Sequence, residues 1–243
     1  MKTTPRTLSH PRKQSLPLGG RLGGGFFLLL FFLFAFLPSF AQQAQEELRS
    51  TTLFQFTEFR PAKVVQTFGR QVTARANILL KNAALCYIDE KDGRIYQATN
   101  ASIVGVNFDS LRYRRVRDQV MGEVIAERGG HQLLCVTTID MERYHELTRG
   151  GADLPFFEID MAGYGVDQFM DLTNAEQQTN TGYPLRRDYY FNIGGRIVAA
   201  KERLIKREVA PDMRTAFKNL MADRWWSWRD AASLTKLLMY FPQ

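Results

Sequence analysis

From about Leu53 to Ile139 apolar and polar residues alternate with a period close to two, and clusters of turn residues interrupt the alternation. Val64, Val65 and Phe68 lead into Gly69. The runs VTARANILL (72–80) and ALCYI (84–88) follow, then a turn at Asp89-Glu90-Lys91-Asp92-Gly93, then RIYQA and SIVGVNF. Asp-Gly between Tyr- and Ile-rich runs predicts a hairpin. A second hairpin is predicted from VMGEVIAE (120–127) and HQLLCVTTI (131–139) around Gly129-Gly130. A third is predicted from YYFNI (189–193) and RIVAA (196–200) around Gly194-Gly195. Strands joined over so few residues must be antiparallel, because a parallel neighbour needs a long crossover.

After Ala200 the period changes. Residues 201–209 are charged with Leu204 and Ile205 inside. Pro211 suits the first turn of a helix carrying Met213, Phe217, Leu220 and Met221 on one face. Ser227-x-x-Asp230 reads as a capping box before a last short helix with Leu234, Leu237 and Leu238. Residues 141–188 are mixed. They predict a short helix over 142–148 ended by Gly150-Gly151, a strand near 156–161 and a polar loop over 174–183. The pattern gives an α+β fold: an antiparallel, curved sheet of hairpins over 53–200, with a helical segment, 201–243, packed on it. Residues 42–52 read as a flexible N-terminus.

The first 41 residues stand apart. Phe26 to Leu37, FFLLLFFLFAFL, is an apolar run of 12 residues, short of the roughly 20 that span a bilayer as a helix. Lys2, Arg6, Arg12, Lys13 and Arg21 precede it with no acidic residue, and Ser39 and Ala41 place small residues at a cleavage site. This is the layout of a secretory signal peptide, residues 1–41, cut before Gln42. The rival reading is an uncleaved anchor. Gln42 in place of Cys argues against lipid attachment.

Removal of the leader changes the charge. The whole chain has 32 basic and 25 acidic residues and a net charge of +7. The leader holds five of the former and none of the latter, leaving 27 against 25, or +2. So small an excess does not point to nucleic acid, which needs a basic footprint on the folded domain. Cys86 and Cys135 each lie in an apolar run. In an exported chain they could form a disulfide; the other reading is two small buried side chains.

The succession of strands with DG turns, then YYFNIGGRIVAA, then a basic helical tail ending in SWRDAASLTKLLMYF, resembles uncharacterised exported β-rich proteins of Gram-negative bacterial envelopes. The resemblance implies export and architecture, to the periplasm or the periphery of the outer membrane, and carries no established activity.

Little in the sequence points to catalysis. His131 and His145 remain after the leader, without H-E-x-x-H or paired C-x-x-C spacing. His131, next to a turn, is expected to face solvent. No cofactor or metal is implied. No G-x-S-x-G or S-x-x-K motif is present. Ile139-Asp140-Met141 is echoed by Ile159-Asp160-Met161, and Glu158 and Asp160 would share a strand face. Asp140, Glu158 and Asp160 are therefore the candidates for a glycan or peptide hydrolase; the plainer reading is solvated carboxylates.

Two features suit binding instead. The run Leu111-Arg112-Tyr113-Arg114-Arg115-Val116-Arg117 alternates so that one strand face is basic, fit for lipopolysaccharide phosphates, anionic phospholipid or an acidic protein. Trp225, Trp226 and Trp228 lie between the last two helices, with two expected in the core and one exposed. The expected function is a non-catalytic binding or scaffold component of the envelope. Its partner would be another envelope protein or an anionic component met through Arg112, Arg114, Arg115, Arg117, Trp225 and Trp226. No transmembrane span would remain after cleavage, though peripheral membrane contact is open to it.

Overall fold

In the computed structural model, which describes residues 47–148, 168–170 and 182–242, the period-two segments form one antiparallel sheet. Its strands are β1 (Arg49–Ser50), β2 (Arg60–Gln66), β3 (Gln71–Leu79), β4 (Ala84–Ile88), β5 (Ile95–Gln97), β6 (Ile103–Phe108) and β7 (Leu111–Arg117). They continue as β8 (Val120–Arg128), β9 (His131–Ile139), β10 (Gln168–Met170), β11 (Tyr183–Ile193) and β12 (Arg196–Ala199). The order across the sheet is β1-β11-β9-β8-β7-β6-β2-β3-β4-β5-β10, with β12 also on β11.

The curvature closes on itself. β4 meets β8 through Ala84 opposite Val120, and Met121 N–H donates to Ala83 C=O at 2.8 Å. Strands β8-β7-β6-β2-β3-β4 thereby form a ring of six, a small barrel with β9, β11 and β12 extending from one side. A barrel this small is filled by its own side chains. Ala62, Val64, Ile78, Val106, Phe108 and Tyr113 are among those that fill it. The Phe56 and Phe108 rings meet edge to face at 4.9 Å.

A short helix, α1 (Met141–Leu147), follows β9 where the mixed stretch predicts one, and α2 (Glu202–Glu208), α3 (Arg214–Met221) and α4 (Ala231–Thr235) come late, as the change of period predicts. Ile205, Phe217, Leu234 and Leu237 turn inward onto Leu133 of β9 and Phe191 of β11, forming a second core. Trp226 and Trp228 pack against this cluster, edge to face at 5.4 Å, while Trp225 is 81% exposed. Among the described residues no helix is long and apolar enough to cross a membrane.

Both glycine pairs make tight turns. Gly194 and Gly195 have φ of +57° and +89°, between Ile193 and Arg196 paired across the turn. Replacing both by Val forces β-branched side chains into the left-handed region, and should cost more than about 2 kcal/mol in chemical denaturation. An unchanged stability would mean that the turn does not set the β11–β12 register.

Several expectations are corrected. Arg49 and Ser50, in the stretch read as a loose N-terminus, pair with Pro184 and Tyr183. β11 begins at Tyr183 and not at Tyr189, because residues 185–192 all find partners on β9. Asp230 itself caps α4, its carboxylate accepting from Ser233 N–H at 2.7 Å, while Ser227 Oγ accepts from Arg229 N–H. His131 is 8% exposed and not solvent-facing. The chain end folds over it: its Nε2 donates to Pro242 C=O at 2.7 Å and its ring meets Phe241 edge to face.

Cys86 and Cys135 are not joined in a disulfide; each is a buried thiol. They occupy β4 and β9, which are not neighbours in the sheet. The signal peptide, the strand near 156–161 and the Gly150-Gly151 helix stop lie outside the described residues.

Candidate anion-binding face

Side chains directly opposite one another in paired strands point to the same side of a sheet, so the register shows which cations gather. Lys63 on β2 lies opposite Thr73 on β3 and Asn107 on β6, and Asn107 lies opposite Arg112 on β7. One step along, Val65 lies opposite Gly105, and Gly105 opposite Arg114. One step the other way, Pro61 lies opposite Arg75. The intervening residues Ala62, Val64, Val106 and Tyr113 fill the barrel. Lys63, Arg75, Arg112 and Arg114 therefore share the outer face of four adjacent strands.

Arg114 is held most firmly. Its guanidinium donates to Asn107 Oδ1 at 2.7 Å and to Tyr113 C=O at 2.8 Å, both neutral acceptors. Gly105 makes room for it: a Cβ there would stand 2.5 Å from Tyr113 O and 3.0 Å from Arg114 Nη1. Partial burial, then the neighbouring Arg112 cation, push the Arg114 pKa below its ordinary value. Among the described residues no carboxylate pairs directly with this guanidinium, and the Glu127 charge, which acts the other way, is the smallest of the three influences, so the cation is only partly neutralised. Among the described residues, the ion pair on this face is Arg112–Glu127 at 3.0 Å, with both side chains at least 40% exposed. Such a surface pair contributes little and opens readily.

Glu127 belongs to a polar row that continues across the sheet. Gln132 Nε2 donates to it at 3.4 Å, and Asn192 Nδ2 donates to Gln132 Oε1 at 3.2 Å. The row binds neutral side chains on one flank and leaves the β2–β7 flank positive.

The four arginines of the sequence run thus do not form one face. Arg112 and Arg114 do. Arg115 lies opposite Met121 and donates to Ala101 C=O, and a register shift between Arg115 and Arg117 leaves Arg117 exposed at the strand end. A bulge breaks the period-two alternation there. Nor does the fold bring the tryptophans to the arginines. Trp226 and Trp228 pack with Leu133 and Phe191, whose side chains have the opposite parity to Gln132 and Asn192.

Of the catalytic candidates only Asp140 lies among the described residues. Asp140 is the N-cap of α1, its Oδ1 accepting from Arg143 N–H at 3.1 Å; Glu158 and Asp160 lie outside the described residues. No group of three His, Cys, Asp or Glu among the described residues is placed to hold a metal ion. On the opposite side of the sheet a cleft of about 310 Å³ is lined by Glu123, Cys135, Thr137, Arg187 and Tyr189 with others. Burial pushes up both the Cys135 thiol and the Tyr189 hydroxyl, which keeps the sulfur protonated and a poor nucleophile.

Lys63 and Arg75 were missed in the sequence because neither lies in a run of cations: Arg75 is the one cation of β3, and Lys63 shares β2 only with Arg60 at its start. Only the β2–β6 pairing, between residues about 40 positions apart, sets them beside Arg112. Compared with known family models, with curated proteins and with solved structures, the chain matches none.

Proposed function

We propose that this is a non-catalytic, exported protein of the bacterial cell envelope that binds an anionic envelope component through the face carrying Lys63, Arg75, Arg112 and Arg114. The observation that carries the reading is Arg114, held in place by neutral acceptors with cations beside it and Gly105 cleared beneath it. A fixed, under-neutralised guanidinium is preorganised for phosphate or carboxylate. Export is supported by the layout of residues 1–41, and the periplasm or the outer-membrane periphery is the compartment that follows.

The test is a charge reversal on exposed positions. Lys63→Glu with Arg112→Glu should leave the fold intact, since both side chains are exposed. It should weaken retention on an anionic matrix by about thirtyfold, at ~1 kcal/mol for each basic residue near an anionic surface. Retention of the unaltered protein should also fall with salt. Equal retention of the two proteins at every salt concentration would remove this face from the function.

A further inference from the structure

We propose that the β2–β3 hairpin is a membrane-contact arm, with Phe68 at its apex entering an anionic phospholipid surface while the cations behind it meet lipid phosphates. This rests on the anion-binding reading above and names its partner.

Phe68 is 105% exposed, more than any other apolar side chain described as exposed. Its backbone, φ 59° and ψ 21°, is in the left-handed region, which costs a non-glycine residue energy that Gly69 beside it would not incur. A large aromatic kept in a strained turn and packed on nothing gains neither packing nor backbone stability. Strain of this kind concentrates where function holds it.

The arm that carries it is uniformly basic. Residues 60–75 include Arg60, Lys63, Arg70 and Arg75 and no acidic residue. Its distal half is open on the β3 side: residues 67–73 are all exposed and β4 pairs with β3 only from Arg75 onward, while β2 stays paired with β6 as far as Gln66. The tip is steadied by Thr67 N–H donating to Ser102 C=O at 2.8 Å and Gln66 N–H to Arg70 C=O at 2.8 Å.

A protein hot spot needs flanking contacts that exclude water around the anchor, and the neighbours of Phe68, namely Thr67, Gly69 and Arg70, offer none. One apolar wedge ahead of a set of cations matches the layering of a bilayer, acyl chains beneath anionic headgroups. Lys and Arg at headgroup depth bury their methylenes and keep their charges with the phosphates.

The test is vesicle flotation of the full chain on phosphatidylcholine, with and without phosphatidylglycerol. The apolar run 26–37 is the same in every variant, so its contribution cancels. The unaltered protein should float with phosphatidylglycerol vesicles beyond its level on phosphatidylcholine. Phe68→Ala should bind about tenfold more weakly, the loss expected for one buried aromatic. Phe68→Trp should retain binding and add a blue-shifted emission on phosphatidylglycerol alone. Phe68→Gly should lose binding with undiminished thermal stability, a combination that a structural role would not produce.

Binding by Phe68→Ala equal to the unaltered protein, with Lys63→Glu/Arg112→Glu weakened, would overturn the arm and leave the anion-binding face standing. Failure to float with phosphatidylglycerol, with salt-sensitive and Lys63-dependent binding to polyglutamate, would overturn it in favour of an acidic protein. Indifference to both probes would overturn the face as well.

Discussion

Asn77→Asp is expected to destabilise the protein by about 3–5 kcal/mol at neutral pH, the range for an uncompensated buried charge, and by much less in acid. Asn77 is 1% exposed on β3 and ties that strand to Phe56 and Glu58, which precede β2. Its Oδ1 accepts from Phe56 N–H at 3.1 Å and Ile78 N–H at 2.9 Å, while its Nδ2 donates to Phe56 C=O at 2.8 Å and Glu58 C=O at 3.3 Å. A carboxylate keeps the first pair and sets an anionic oxygen against the two carbonyls. The folded state then favours the protonated acid, which can still donate to Phe56 C=O, so its pKa rises above the unfolded value. Folded protein binds more protons than unfolded between the two pKa values, and stability falls as pH rises through that window. Urea titrations at about pH 7 and about pH 5 should therefore give a larger deficit at the higher pH. Equal deficits at both would mean that the amide does not donate to these carbonyls.

Most of the strand content was legible in the sequence because each strand carries its own period and each hairpin its own turn chemistry. ALCYI, LRYRRVR and HQLLCVTTI coincide with β4, β7 and β9. What was not legible depends on contacts between distant residues. The closing pair Ala84–Val120 involves one residue on each side and leaves no local trace. His131 looked like a turn residue because the Gly pair beside it is local, whereas Pro242, its partner, is 111 residues away.

The candidate site divides in the same way. Arg112 and Arg114 stood out because they lie two residues apart in one strand. Arg115 dropped out because a bulge, invisible to alternation, intervenes. Phe68 carried no signal at all: as an apolar residue near a glycine it read as the end of a strand, and only its positive φ and full exposure mark it. The tryptophan cluster divided as expected, since two of its rings complete the apolar surface that the short helices cannot fill alone.

Phe191→Ala should cost about 3–5 kcal/mol, the usual range for deleting a buried aromatic ring. Phe191 is fully buried on β11, where it lies opposite Leu133 and meets Phe241 edge to face at 5.2 Å. It belongs to the buried cluster that also holds Ile205 of α2, Phe217 of α3 and Leu234 of α4, the core that joins three helices to the sheet. None of these helices exceeds eight residues, far below the length at which a helix is stable on its own in water. Their order depends on this burial, and the loss should fall unevenly. Hydrogen exchange should quicken in α2, α3 and α4 first, while amides of β2, β3, β6 and β7, around the separate barrel core, keep more of their protection. The anion binding proposed for Lys63 and Arg112 should survive at denaturant concentrations where the helices have already loosened, because that face is built on the barrel strands. Simultaneous loss of helix protection, barrel protection and binding would mean that the two cores unfold as one unit, and that the cationic face depends on the C-terminal helices.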